Sequence, residues 1–343
     1  MKLPALQSYL QEHHIDLAIL VHPDINITYF SQQKLSYGYL IITPKKAILY
    51  HTQLDTPPAI PHITKKLLKK NWEKALSPSH IKTIAINKES LTLSSFDRLK
   101  SLFPKAKVHD LSPYLKELRT TKTPKELLYL KKACDISTHA LKQTLLELKK
   151  HTLKTEQDVA LFIEKKIREQ GGDIAFPTII AMGANAATPH HATSLAPLKS
   201  GFLLFDFGAS YNHYCADISR TIYLGTPSTQ EHQLYTLLQQ SQQDAINAIS
   251  PHTLLTDLDK TARKTLGKYS KYFIHSLGHG LGLEIHESPS FLPKLTIQPN
   301  IPFTIEPGIY LKNRLGIRIE DTLYWDKKTH ILTQFPKHLI IIH

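Results

Sequence analysis

A chain of 343 residues exceeds one comfortable core and points to two domains. With 41% hydrophobic residues and no low-complexity tract it is a folded globular protein, which excludes a disordered chain. Lys and Arg number 42 against 29 Asp and Glu, a net +13, yet the lysines fall in scattered pairs such as Lys65-Lys66 and Lys131-Lys132 beside apolar neighbours, as on solvated helix faces; nucleic-acid binding is the minority reading.

The first segment, MKLPALQSYLQEHH, has no apolar core of signal-peptide type, and no apolar run approaches 18 residues, so no membrane association is expected. Cys134 and Cys215 match no metal or redox spacing and read as packed thiols in a reducing compartment, which implies a cytoplasmic protein. Helix is expected over 6–12, 61–72 and 91–102. Strands are expected over 16–21, 39–43, 47–50, 83–86 and 107–110, an alternation typical of an α/β unit. The boundary is placed at 118/119, giving domains 1–118 and 119–343. From Lys125 to Lys150 the apolar residues recur at helical period, with Pro124 at the helix start. A second helix starts at Thr155 and stops at Gly171-Gly172, and two more cover 230–249 and 254–266. Helices before and between hairpins describe an α+β second domain with a curved antiparallel sheet covered by helices.

The chemistry concentrates in two stretches. FLLFDFGASYNHYCADISRT (202–221) reads as a hairpin centred on Tyr211-Asn212, which would set Asp206 opposite Asp217. Opposed like charges on apolar strands are destabilising without a cation or a shared proton. Downstream, FTIEPGIY and GIRIEDT form a second hairpin about Asn313, with Glu306 facing Glu320 and Arg318 on the side of Glu320. His279 stands between Gly278 and Gly280, where the backbone can approach an ion closely. One histidine with four carboxylates suits two hard divalent cations, with manganese preferred and cobalt, zinc or iron as alternatives.

These motifs resemble the prolidase and aminopeptidase P family of pita-bread metallopeptidases, related to creatinase and methionine aminopeptidase. The resemblance implies metal ligands at Asp206, Asp217, His279, Glu306 and Glu320. It is close from Arg119 onward. The first third follows more loosely, in IDLAILVHPDINITYFSQ, as a creatinase-like amino-terminal α/β domain. From FPTIIAMGANAATPHHA and EIHE it implies His190 and His286 on the substrate side, with His275 and Tyr310 also contacting substrate. Glu306, His190, His286 and Arg318 would be the catalytic set. His191 is read as a bystander. The implied activity is removal of an amino-terminal residue before proline by a metal-bridging hydroxide, with Glu306 shuttling the proton. Aminopeptidase action is the first expectation, because Ser290 stands where some prolidases carry Arg; a dipeptidase is the alternative, and a non-catalytic or basic nucleic-acid-binding relative the more distant one. Peptides with proline second are the expected substrates, and the family's habit implies a homodimer.

Overall fold

The computed structural model describes residues 2–70, 72, 76, 80–291 and 295–343. Its packing divides the chain into two compact units, Met1–Leu118 and Arg119–His343.

In the first unit, α1 (Leu3–Glu12) buries Leu3, Leu6 and Leu10 at helical spacing. The strand β1 (Leu17–Val21) is buried along its whole length. Next, α2 (Ile25–Ser31) forms from INITYFS, a β-branched and aromatic run that propensity alone would make a strand. Asp24 overrides that preference by capping the helix, accepting from Asn26 N at 2.8 Å, and is itself held by Asn87 and Ser90. After it come β2 (Gly38–Ile42), β3 (Ala47–His51), β4 (Ile63–Leu67), β5 (Thr83–Ile86), α3 (Leu93–Leu102) and β6 (Lys107–Asp110). The sheet order is β4-β3-β2-β1-β5-β6, antiparallel through β1–β3 and parallel elsewhere.

The helix expected over 61–72 is corrected: Ile63–Leu67 is an edge strand parallel to β3. Only Ile63 of this strand is buried, so its lysines suit an exposed edge as well as a helix face. Open backbone groups on β3 settle the competition.

The second unit begins within α4 (Ser112–Thr120) and continues with α5 (Pro124–Leu148) and α6 (Glu156–Glu169). Thr123 and Thr155 start these two helices with reciprocal caps to Glu126 and Asp158. Short β7 (Asp173–Ile174) and β8 (Ile179–Met182) precede β9 (Gly201–Phe207), β10 (Ala209–Tyr211), β11 (Tyr214–Cys215) and β12 (Ile218–Leu224). In β9, Leu203, Phe205 and Phe207 pack with Ile136, Ile163 and Ile167 of α5 and α6. Asp206 therefore projects from the opposite face.

Two long helices follow, α7 (Thr229–Asn247) and α8 (Leu255–Leu266), then β13 (His279–Gly280), β14 (Glu287–Ser290), β15 (Pro302–Ile305), β16 (Gly308–Leu311), β17 (Leu315–Arg318), β18 (Asp321–Trp325), β19 (Thr329–Ile331) and β20 (Ile341–Ile342). Leu238, Ala245, Leu258 and Ala262 of α7 and α8 share a core with Phe303, Ile305, Ile309 and Ile317 of the strands. Asp206 lies on β9 and His279 on β13, in sheets of the orders β20-β12-β9-β8 and β14-β13-β15-β18-β19; Tyr310 and Arg318 lie on the separate β16–β17 pair, and Asp217, Glu306 and Glu320 adjoin strand ends. Cys134 and Cys215 are free and buried. Among the described residues no helix is long and apolar enough to cross a membrane.

Candidate metal centre

The register of the first hairpin differs from expectation by two residues. Asp206 pairs with Ser219, because the turn is Asn212-His213, both at positive φ, with Tyr211 paired to Tyr214. That is the two-residue turn whose twist matches paired strands. Asp217 thus lies two residues before the partner of Asp206, a diagonal neighbour rather than a direct one.

The second hairpin turns on Asn313, at φ +59°, with Leu311 paired to Leu315. Its ladder stops at the Gly308–Arg318 pair and a second resumes at Ile305–Asp321. Glu306 and Glu320 sit opposite each other in the gap between the two ladders. There Glu306 N bonds the Leu277 carbonyl at 2.8 Å and Glu320 N the Ser219 carbonyl at 3.0 Å rather than each other's strand, which breaks the ladder where the two carboxylates lie.

His279 enters from β13, against β15. A Cβ at Gly278 would lie 2.0 Å from the Thr304 carbonyl oxygen, and one at Gly280 2.3 Å from Pro289 N, so only glycine admits this approach. His279 Nδ1 donates to the Gly280 carbonyl at 3.2 Å, which leaves the Nε2 lone pair 3.5 Å from Asp217 Oδ2 and 3.4 Å from Glu306 Oε1. A lone pair facing two carboxylates is repulsive unless a proton or a metal cation lies between them. Donor atoms of Asp217, His279 and Glu320 all fall within 4.8 Å of one another. Asp217 Oδ1 and Glu320 Oε1 are buried without a hydrogen-bond partner. Burial, compounded by Asp206 and Glu306, raises the Asp217 carboxyl well above its ordinary range. Burial, then Asp217 and Glu306, does the same for Glu320. Glu306 is raised by burial too, against the opposing pull of His279 and Arg318. Orphaned acceptors, crowded carboxylates and an aimed imidazole fit divalent cations.

Around these groups lies a cavity of about 590 Å³ whose walls include all five expected ligands together with His190, His275, His286 and Arg318. The His279 and His286 rings are 4.2 Å apart, and burial followed by the neighbouring His279 and His190 lowers the His286 pKa. Arg318, almost fully buried, donates to Asp206 Oδ2, to the Tyr310 hydroxyl at 2.8 Å and to Ser219 Oγ at 2.8 Å.

Two of the expected substrate contacts, His275 and Tyr310, are bonded to each other, and His275 also lines the cavity. Tyr310 is absent from the cavity wall; its hydroxyl accepts from Arg318 and so donates to His275 Nε2 at 2.8 Å. His275 Nδ1 faces the Ser276 carbonyl at 2.9 Å, so both its ring nitrogens are engaged. Burial, with the Arg318 charge beside it, depresses His275 to about 4, so it is neutral. His191, read as a bystander, has Nε2 2.9 Å from the buried Glu156 carboxylate.

Three hydroxyls were not anticipated. Ser219 donates to Glu320 Oε2 at 2.7 Å, Thr304 to Glu306 Oε1 at 3.1 Å, and Thr322 to the Asp217 carbonyl at 2.8 Å. Ser219 and Thr304 each lie two residues from a carboxylate in their own segment, Asp217 and Glu306, and Thr322 lies two beyond Glu320. That same-face spacing is the sequence signal that could have found them.

The fold and this centre define a metallopeptidase: the pattern of metallopeptidase family M24 matches residues 129–327 and that of the creatinase/prolidase N-terminal domain residues 2–121, and the chain belongs to that family. A Xaa-Pro dipeptidase of Pyrococcus furiosus is 34% identical over 335 residues, covering 94% of either chain. The prolidase of Pyrococcus horikoshii superposes with a TM-score of 0.90 at 31% identity over 99% of both chains. An X-Pro aminopeptidase of Thermotoga maritima gives 0.88 at 29%, over 96% of this chain and 98% of its own.

Proposed function

We propose that this chain is a two-metal Xaa-Pro dipeptidase, a prolidase. The observation that carries the metal chemistry is the set of buried carboxylates with unpartnered oxygens, Asp217 and Glu320, beside the aimed His279. The choice of dipeptidase over the first expectation, an aminopeptidase, is supported by full-length relatives named Xaa-Pro dipeptidase. The Thermotoga maritima likeness keeps aminopeptidase action as the second reading.

Asp206, Asp217, His279, Glu306 and Glu320 would hold the ions, manganese first. Four carboxylate charges offset two divalent cations. Bound there, the ions would lower the pKa of water toward neutrality and polarise the scissile carbonyl. Arg318 keeps Asp206 oriented, and Ser219 and Thr304 fix Glu320 and Glu306. Glu306, raised by burial, is suited to accept a proton from water and return it to the departing proline nitrogen. Burial, the largest cause of its lowered pKa, favours the neutral form of His286, and a ring N–H there can donate to the developing oxyanion. A donor in that role contributes roughly 3–4 kcal/mol. His190, exposed on the cavity rim, holds the peptide. A cytoplasmic homodimer completes the proposal.

The test is hydrolysis of Ala-Pro against Ala-Pro-Ala with added Mn²⁺, with and without chelator. Cleavage of the dipeptide alone, abolished by chelator and restored by Mn²⁺, is expected. Preference for the tripeptide moves the reading to aminopeptidase. Chelator-resistant cleavage, or none of either peptide, ends it.

A further inference from the structure

One buried charge has no part in the chemistry above. Glu156, at the first position of α6, is fully buried. Its Oε1 accepts from Met182 N at 2.7 Å and Asn185 Nδ2 at 2.8 Å. Its Oε2 faces His191 Nε2 at 2.9 Å and accepts from Ser194 N at 3.1 Å and Ser194 Oγ at 2.7 Å. A helix N-terminus favours a carboxylate, whose two oxygens offer about four acceptor sites. Here five converge, and every one belongs to the segment 182–194. That segment leaves β8, passes one 3₁₀ turn (Gly183–Ala187) and then runs without regular structure through Pro189 and His190. At its far end Gln157 N bonds the Ser194 carbonyl and Glu156 N the Ala196 carbonyl. The carboxylate therefore holds the start, the middle and the end of the segment carrying His190. The middle contact is His191, the residue next to it.

We infer that Glu156 and His191 are positioning residues: their hydrogen bond fixes the 182–194 segment so that His190 meets the bound peptide in one orientation. The inference rests on the reading of His190 as the group that holds substrate. Thr193 bonds the Thr178 carbonyl and Ile180 N, and His191 N bonds the Thr188 carbonyl, but the side-chain tie at the residue next to His190 is that of His191 to Glu156. A displacement of about 1 Å suffices to cost on the order of 10²-fold in rate.

Four variants of the full-length Mn²⁺-loaded chain test it: His191→Ala, His191→Gln, Glu156→Gln and His190→Ala. Glu156→Gln keeps the fold, since its amide can face His191 and Ser194 Oγ, both able to accept, and only Ser194 N loses a partner. His191→Ala is expected to lower kcat/KM on Ala-Pro roughly 10- to 100-fold. His191→Gln, whose amide can still donate to Glu156, recovers much of that loss. In the His190→Ala background His191→Ala adds little, because both changes act through one group. By hydrogen exchange, amides of 183–194 open faster in His191→Ala while β9 and β12 stay protected. Additive losses, no rescue by Gln, or unchanged exchange over 183–194 overturns the inference. Exchange needs no turnover: a wild-type chain inert toward Xaa-Pro peptides defeats the proposed function, while the exchange data still decide the latch.

Discussion

Ser219 shows how much rests on a small side chain. It donates to Glu320 while accepting from Arg318 Nε, inside a wall with no water-facing side. Ser219→Ala leaves a buried guanidinium N–H unpaired, a loss of about 1–3 kcal/mol. It also frees Glu320 to rotate, so Mn²⁺ affinity should fall roughly 10- to 100-fold, read by titration calorimetry. Glu156 gives the pH prediction. Burial pushes its carboxyl up, but bonds from Asn185, Met182, His191 and Ser194 bring it below the ordinary 4.5. A depressed folded pKa means that the unfolded chain binds the extra proton. The stabilisation is thus whole above pH 4.5 and is lost as pH falls through the lower folded value. Melts of wild type should weaken on acidification below that point, and Glu156→Gln melts should weaken less.

At the scale of elements, the glycines beside His279 set a geometric demand. With a carbonyl oxygen already 2.0 Å from where a Cβ would sit, Gly278→Ala must push β13 off β15. We expect about 1–3 kcal/mol of destabilisation and, beyond it, metal loss measured by elemental analysis. The helices were legible because period and cap agree: Thr155 with Asp158 at the third helical position, then Val159, Ile163 and Ile167 inward. The Asn313 hairpin was legible for a similar reason, since its polar tip separates two apolar strands of equal reach. The Asn212-His213 turn was misplaced by one position because Tyr211 and His213 look equally turn-like by composition. Only the backbone twist chooses between them. Residues 63–67 failed for want of any local signal: what makes them a strand is the open edge of β3, sixteen positions upstream.

For the whole molecule, ions that bind only the folded chain add stability by mass action. At a hundredfold excess over Kd the gain is about 2.7 kcal/mol per site. Stripping with chelator should accordingly lower Tm by roughly 5–10 °C, with Mn²⁺ restoring it; an unchanged melt would separate this centre from metal binding. That Asp206, Asp217, His279, Glu306 and Glu320 line one cavity was legible because His279, Asp206 and Glu306 interrupt runs of apolar and glycine residues. The groups that steady them were not. Glu156 reads as an ordinary first-turn acid, and its role depends on a segment that begins 26 residues later.

Arg318 has one more consequence. Lying on β17, it reaches Asp206 on β9 and Ser219 on β12, and a guanidinium keeps its proton at any physiological pH. The two hairpins are thereby tied by a permanent organic cation, independent of the inorganic ones. Cation uptake then meets a prearranged cage rather than assembling one, and the heat-capacity change of Mn²⁺ binding should be small. Arg318→Met would turn the same titration into coupled folding, with a large negative change.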